Sequence, residues 1–208
     1  MRDALFMGRL TAGATHEMQN ILATIRESGG LMEDLLAVGG EGFAHAERFK
    51  KGLCVLAEQV ERGMALSEQL NYCAHAPEAT PAGAEVNEAM RSLVGLYRRD
   101  AARKRVNLVL AAGRTGLRTS LRALELMGRA GLALDCALAL LPQGSQLMLS
   151  VEEQGGLAVL RLDSPGYEAL RGQEPFAELE RRARALGAGV SAGPGGQGVV
   201  LSLPKPQA

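Results

Sequence analysis

Three residues stand out for their chemistry. They are His16, Glu17 and Asn20, in the segment Leu10-Thr11-Ala12-Gly13-Ala14-Thr15-His16-Glu17-Met18-Gln19-Asn20-Ile21-Leu22-Ala23-Thr24-Ile25. Met18, Ile21 and Ile25 recur at three- and four-residue steps, which predicts a helix. With Met18 and Ile25 toward a core, His16 falls on the flank facing solvent. A neutral imidazole is a good nucleophile near neutral pH, and the N–P bond it forms is labile enough to pass a phosphoryl group onward. Glu17 is suited to hold or deprotonate that imidazole as a general base. Asn20, one turn along the same face, is placed to orient a water toward an acyl phosphate on a docked partner. A lone histidine on an amphipathic helix ordinarily needs no explanation beyond solvation. The adjoining carboxylate, the amide one turn away and the small residues upstream set His16 apart from His45 and His75.

The elements that must position these residues follow from the periodicity. From Asp3 to about Leu36 an apolar seam runs through Met18, Ile21, Leu22, Ile25, Met32, Leu35 and Leu36. Val38-Gly39-Gly40-Glu41-Gly42 interrupts it, and a second helix from about Ala44 to Cys73 carries Phe49, Leu53, Leu56, Val60, Met64 and Leu70. A hairpin of two such helices cannot bury its seam alone. Pairing with a second copy would complete a four-helix bundle, so a homodimer is expected.

Pro77-Glu78-Ala79-Thr80-Pro81-Ala82-Gly83 is rich in helix breakers and reads as a linker. The predicted organisation is a hairpin over residues 1–76, a linker over 77–84 and a second domain over 85–208. In that domain the pattern predicts a helix from about Glu85 to Ala102, a strand from Arg105 to Ala111 and an apolar helix from Ser120 to Leu141. Strands Gln146–Glu152 and Leu157–Asp163 follow, joined by a hairpin-like turn at Glu153-Gln154-Gly155-Gly156, then a helix from about Pro175 to Leu186. The chain closes with strands Gly189–Ala192 and Gly198–Leu203. The fold class is therefore α+β, with helices on one face of a mostly antiparallel sheet.

Composition excludes several functions. The 208 residues carry 23 basic and 23 acidic side chains, a balance that offers no electrostatic footprint for nucleic acid or an anionic membrane. No apolar run approaches the ~20 residues of a membrane span. Cys54, Cys73 and Cys136 are scattered singly, without metal-ligand spacing, as suits a reduced cytoplasmic protein and no bound metal. The basic run from Arg98 to Arg105 reads as a complement to a helix dipole, and Gly193-Pro194-Gly195-Gly196-Gln197-Gly198 as a connection between strands.

His16-Glu17-Met18-Gln19-Asn20 resembles the H-box of sensor histidine kinases, an apolar helix with His-Glu-x-x-Asn. Ile21 stands where many members of that family carry proline, which bears on the local bend. The second domain is similar to a shortened ATP-binding kinase domain. The resemblance implies a dimerising hairpin, a phosphoryl-accepting His16 and response-regulator receiver domains as partners. The family's Asn-x-x-x-Asn-Ala motif corresponds to Gly131-Leu132-Ala133-Leu134-Asp135-Cys136, which keeps one carboxylate and loses a side chain. Its Asp-x-Gly-x-Gly motif corresponds to Asp163-Ser164-Pro165-Gly166-Tyr167, where Pro165 removes a backbone donor and Tyr167 adds bulk. Asp135, Asp163 and Gly166 then remain as remnants of a degenerate nucleotide site. Too little chain separates Gly166 from Phe176 for an ATP lid. The expectation is a histidine phosphotransferase relaying a phosphoryl group between receiver domains through His16, with no cofactor. The alternatives are a response-regulator phosphatase using Glu17 and Asn20, an ATP-dependent histidine kinase with a divergent pocket, and a non-catalytic dimeric adaptor.

Overall fold

A computed structural model describes residues 2–38, 46–75, 83–113, 116–165, 177–178, 180–181, 189–192 and 198–204. Helices α1 (Arg2–Val38) and α2 (Ala46–His75) lie against each other. Next come β1 (Ala84–Glu85), α3 (Val86–Arg103), β2 (Asn107–Leu110), β3 (Arg118–Thr119) and α4 (Ala123–Leu140). The chain continues through β4 (Gln146–Gln154), β5 (Leu157–Asp163), β6 (Gly189–Ala192) and β7 (Val199–Ser202). The expected α+β class is what forms. The hairpin loop, residues 76–82, Gly166 and most of the expected 175–186 helix lie outside the described residues.

The principal sheet has the order β2-β4-β5-β7-β6. Only β2 and β4 run parallel, with Asn107 opposite Gln146, and helix α4 lies between them in sequence. Gly155 and Gly156, both with positive φ, make the two-residue turn from β4 to β5, where a side chain would strain the backbone. Alternate residues Leu147, Leu149 and Val151 of β4 join Leu160 and Leu162 of β5 and Val199 and Leu201 of β7 in one buried cluster. Helix α4 supplies Leu126, Met127, Ala130, Ala133, Leu134 and Ala137 to the same cluster, and α3 supplies Met90, Leu93 and Tyr97. Phe6 and Leu10 of α1 also pack there, so the start of the hairpin rests on the α/β layer.

The apolar seam of the hairpin splits in two. Ala14, Ile21 and Leu66 are buried, with Met18, Ile25, Leu70 and Leu96 of α3 packed around them. Met32 and Leu35 are also buried, and Met32 meets α2 at Gly52, where an added Cβ would lie 3.1 Å from its side chain. Leu22, Leu36, Leu53, Val60 and Met64, assigned to the same seam by periodicity, are exposed in the single chain. The short ribbon formed by β1 and β3 has no counterpart in the sequence reading, since two-residue strands carry no period.

Helix α3 begins at Glu85, whose carboxylate accepts from the Glu88 backbone N–H at 2.6 Å. This cap fixes where α3 starts, and so the height at which its later residues meet the hairpin.

Candidate functional site

His16 and Asn20 are exposed on α1, and neither side chain is hydrogen-bonded to another described residue. At about 100° per residue the two lie about 40° apart on the helix, one turn from each other. The imidazole and the amide therefore share one open face. Glu17 lies to one side of them, turned into the groove where α2 and α3 meet α1, and its side chain is only 17% exposed.

Each oxygen of Glu17 meets a guanidinium. Oε1 accepts from Arg62 of α2, and Oε2 lies 3.3 Å from Arg99 Nε of α3. Arg62 also donates to Gln59 Oε1 at 3.1 Å. Three helices thus converge on the carboxylate that follows His16. Nothing local in the sequence signals these partners. Arg99 belongs to the basic run assigned to the helix dipole, but it reaches back to α1; Arg103, in that run, pairs with Asp100 and Arg105 bonds to Gln143.

Gly131 and Asp135, which the resemblance set against a kinase's metal and phosphate ligands, are packed against α1. Asp135 Oδ2 accepts from Arg9 Nη1 at 2.5 Å, while Arg9 Nη2 donates to the Tyr97 hydroxyl at 2.6 Å. The single proton of that hydroxyl lies between Asp135 Oδ1 at 3.0 Å and the Gly131 carbonyl at 3.2 Å. An added Cβ at Gly131 would lie 2.9 Å from the Phe6 ring, so this glycine admits α1 to the surface of α4. The Arg9 guanidinium stacks 5.8 Å from the centroids of both Phe6 and Tyr97. Burial pushes the Tyr97 hydroxyl well above the usual phenol range, and the Asp135 charge adds to it. Burial works against the charge of Arg9, yet Tyr97 and Asp135 outweigh it and raise its pKa. A carboxylate held in this way, beside a glycine filled by Phe6, does not fit a magnesium and phosphate site.

Tyr97→Phe tests this clamp. It removes a donor to Asp135 and an acceptor from Arg9, and is expected to lower unfolding stability by about 1–2 kcal/mol in a urea titration. Wild-type stability in that titration would mean the three groups do not act together.

Asp163, at the end of β5, shares no partner with Asp135. Its neighbour is Arg161, whose Nε lies 3.8 Å away and whose Nη1 meets Glu152 at 3.2 Å. Burial raises the Asp163 carboxyl above its ordinary value, against the pull of Arg161. Gly198, at φ +100°, closes on this strand end; a Cβ there would sit 2.2 Å from the Leu162 carbonyl. Among the described residues, no group of three or more His, Cys, Asp and Glu side chains is placed to hold a metal ion. No described helix is long and apolar enough to cross a membrane.

No family model matches the sequence, and no curated protein does. Solved structures do match. One is a bacterial phosphotransferase, 14% identical, with 96% of each chain covered and a TM-score of 0.50. Another is the catalytic domain of the histidine kinase ThkA, 12% identical, with 60% of this chain and 97% of that chain covered at a TM-score of 0.48. A third is histidine kinase ThkA in complex with the response regulator protein TrrA, 14% identical, covering 99% of this chain and 63% of that one, with a TM-score of 0.46. At such identities the likeness is one of fold, and with the phosphotransferase it runs over nearly the whole of both chains.

Proposed function

We propose that the chain is a two-component phosphotransfer protein: His16 takes a phosphoryl group from the aspartyl phosphate of one response-regulator receiver domain and gives it to another. The observation that carries this reading is the exposed imidazole of His16 beside a half-buried carboxylate, on a hairpin joined to an α/β layer. The likeness in fold to a solved phosphotransferase across nearly both whole chains supports it. Receiver and phosphohistidine are close enough in free energy for transfer to run in either direction, so no ATP is needed. Asn20 shares the open face of His16 with its amide exposed, and Glu17 follows His16 with its carboxylate held by two guanidiniums.

In this reading residues 1–76 dimerise and present His16, residues 77–84 link, and residues 85–208 form a kinase-like domain without nucleotide. The dimer would use Leu53, Val60 and Met64, which lie within about 40° of one another on α2, together with Leu22 of α1. Leu22 sits about 120° around α1 from His16, so that contact leaves the imidazole open.

Calorimetric titration of the purified protein with ATP and magnesium separates this reading from a kinase. The commitment of Gly131 and Asp135 to α1 leads us to expect no saturable heat. Clear saturable binding would restore an ATP-dependent kinase.

A further inference from the structure

Two guanidiniums meet one carboxylate at Glu17, the residue that follows His16. A single exposed ion pair contributes little to stability, and here α2 and α3 together bring two cations to the residue that follows His16. Arg62 has more than half of its side chain in solvent, and its partners Glu17 and Gln59 are both side chains that can release it. Arg99 meets Glu17 through Nε, and among the described residues neither of its terminal nitrogens is engaged. Its helix is fixed at this height by Leu96, which packs on the Ala14, Ile21 and Leu66 cluster.

We propose that Arg62 and Arg99 are phosphoryl-positioning residues, held by Glu17 in the resting protein and turned to the phosphoryl oxygens during transfer at His16. The proposal rests on the phosphotransfer reading above. In the step itself a ring nitrogen of neutral His16 attacks phosphorus with its lone pair, and the N–P bond forms. The P–O bond to the receiver's aspartate breaks, its electron pair leaving as the carboxylate, and the proton of the other ring nitrogen passes to water or to Glu17. The transferred group carries up to two negative charges, and a guanidinium fork matches its oxygens. As either arginine turns to them, Glu17 loses a partner and is freed to receive that proton.

The test uses the full chain with potassium phosphoramidate as the phosphoryl donor, phosphorylation of His16 being verified by mass spectrometry. The phosphorus resonance of phosphohistidine is followed through a pH titration in the wild type, Arg62→Ala, Arg99→Ala, the double alanine variant and the double lysine variant. Guanidiniums on the phosphoryl group favour its dianion. The wild-type midpoint is therefore expected at least about half a pH unit below that of the double alanine variant, with lysine restoring part of the difference. Labelling by phosphoramidate is expected to slow about tenfold in the double alanine variant. A packing role alone would move neither the midpoint nor its recovery by lysine. Coincident midpoints in the wild type and the double alanine variant would overturn the proposal. If those midpoints differ but no phosphorylated receiver labels the wild type, the relay reading fails while the positioning role stands. If receivers label it and the midpoints coincide, only the positioning role fails.

Discussion

Replacing His16 with alanine is expected to reduce phosphoryl acceptance from a phosphorylated receiver to background, while the protein keeps its fold and oligomeric state. The imidazole is exposed and bonds to no described residue, so its loss opens no cavity and strands no buried polar group. Alanine is also a better helix former than histidine, which leaves α1 intact. Loss of acceptance with an unchanged melting curve and unchanged mass in solution isolates a chemical role. A loss accompanied by unfolding or dissociation would show that His16 is packed, against the exposed placement on α1. Retained labelling would move the acceptor elsewhere, to His45 or His75.

The double substitution Val60→Asp with Met64→Asp is expected to dissociate the proposed dimer, raising its dissociation constant by about 100-fold or more. Val60 and Met64 are 48% and 55% exposed in the single chain, so charge there costs the monomer little. In a two-fold pair each substitution occurs twice, and four carboxylates would have to be buried or brought together. Sedimentation equilibrium reads the outcome, with circular dichroism verifying the helices. A dimer of unchanged affinity would place the interface elsewhere. Leu56 is a poorer test despite its place in the periodic pattern, because it is half-buried within the hairpin and its substitution would confound folding with association.

Much of the architecture could be read from periodicity. Steps of three and four gave both long helices, and alternation gave β4 to within two residues, because one of its faces is buried and the other is not; β5 keeps its expected bounds although Val159, on its second face, is buried as well. Periodicity marks a residue as apolar without saying what covers it. Ile21 and Leu22 therefore fell in one seam, although the first is buried against α2 and the second faces out. Leu66, which lies at the centre of the hairpin contact, was not assigned to the seam at all.

The site was legible only where it is local. His16, Glu17 and Asn20 fall within two turns of helix, and their spacing alone puts His16 and Asn20 on one face with Glu17 to its side. The partners of Glu17 do not: Arg62 is 45 positions away, and Arg99 reaches it from another helix. Arg9 and Asp135 are 126 positions apart, so the sequence could mark Asp135 as a departure from a nucleotide motif without showing that it clamps α1. Long side chains that meet across three helices depend on where α3 docks. That follows from its start at Glu85 and the packing of Leu96, and no single segment encodes it.

The most direct measurement incubates the purified protein with a panel of purified receiver domains carrying radiolabelled phosphate on their aspartates, and maps the transferred label by mass spectrometry. The account requires that at least one receiver lose its label as an acid-labile, base-stable phosphohistidine appears at position 16. No label from any receiver, or label at His45 or His75 in its place, would contradict it.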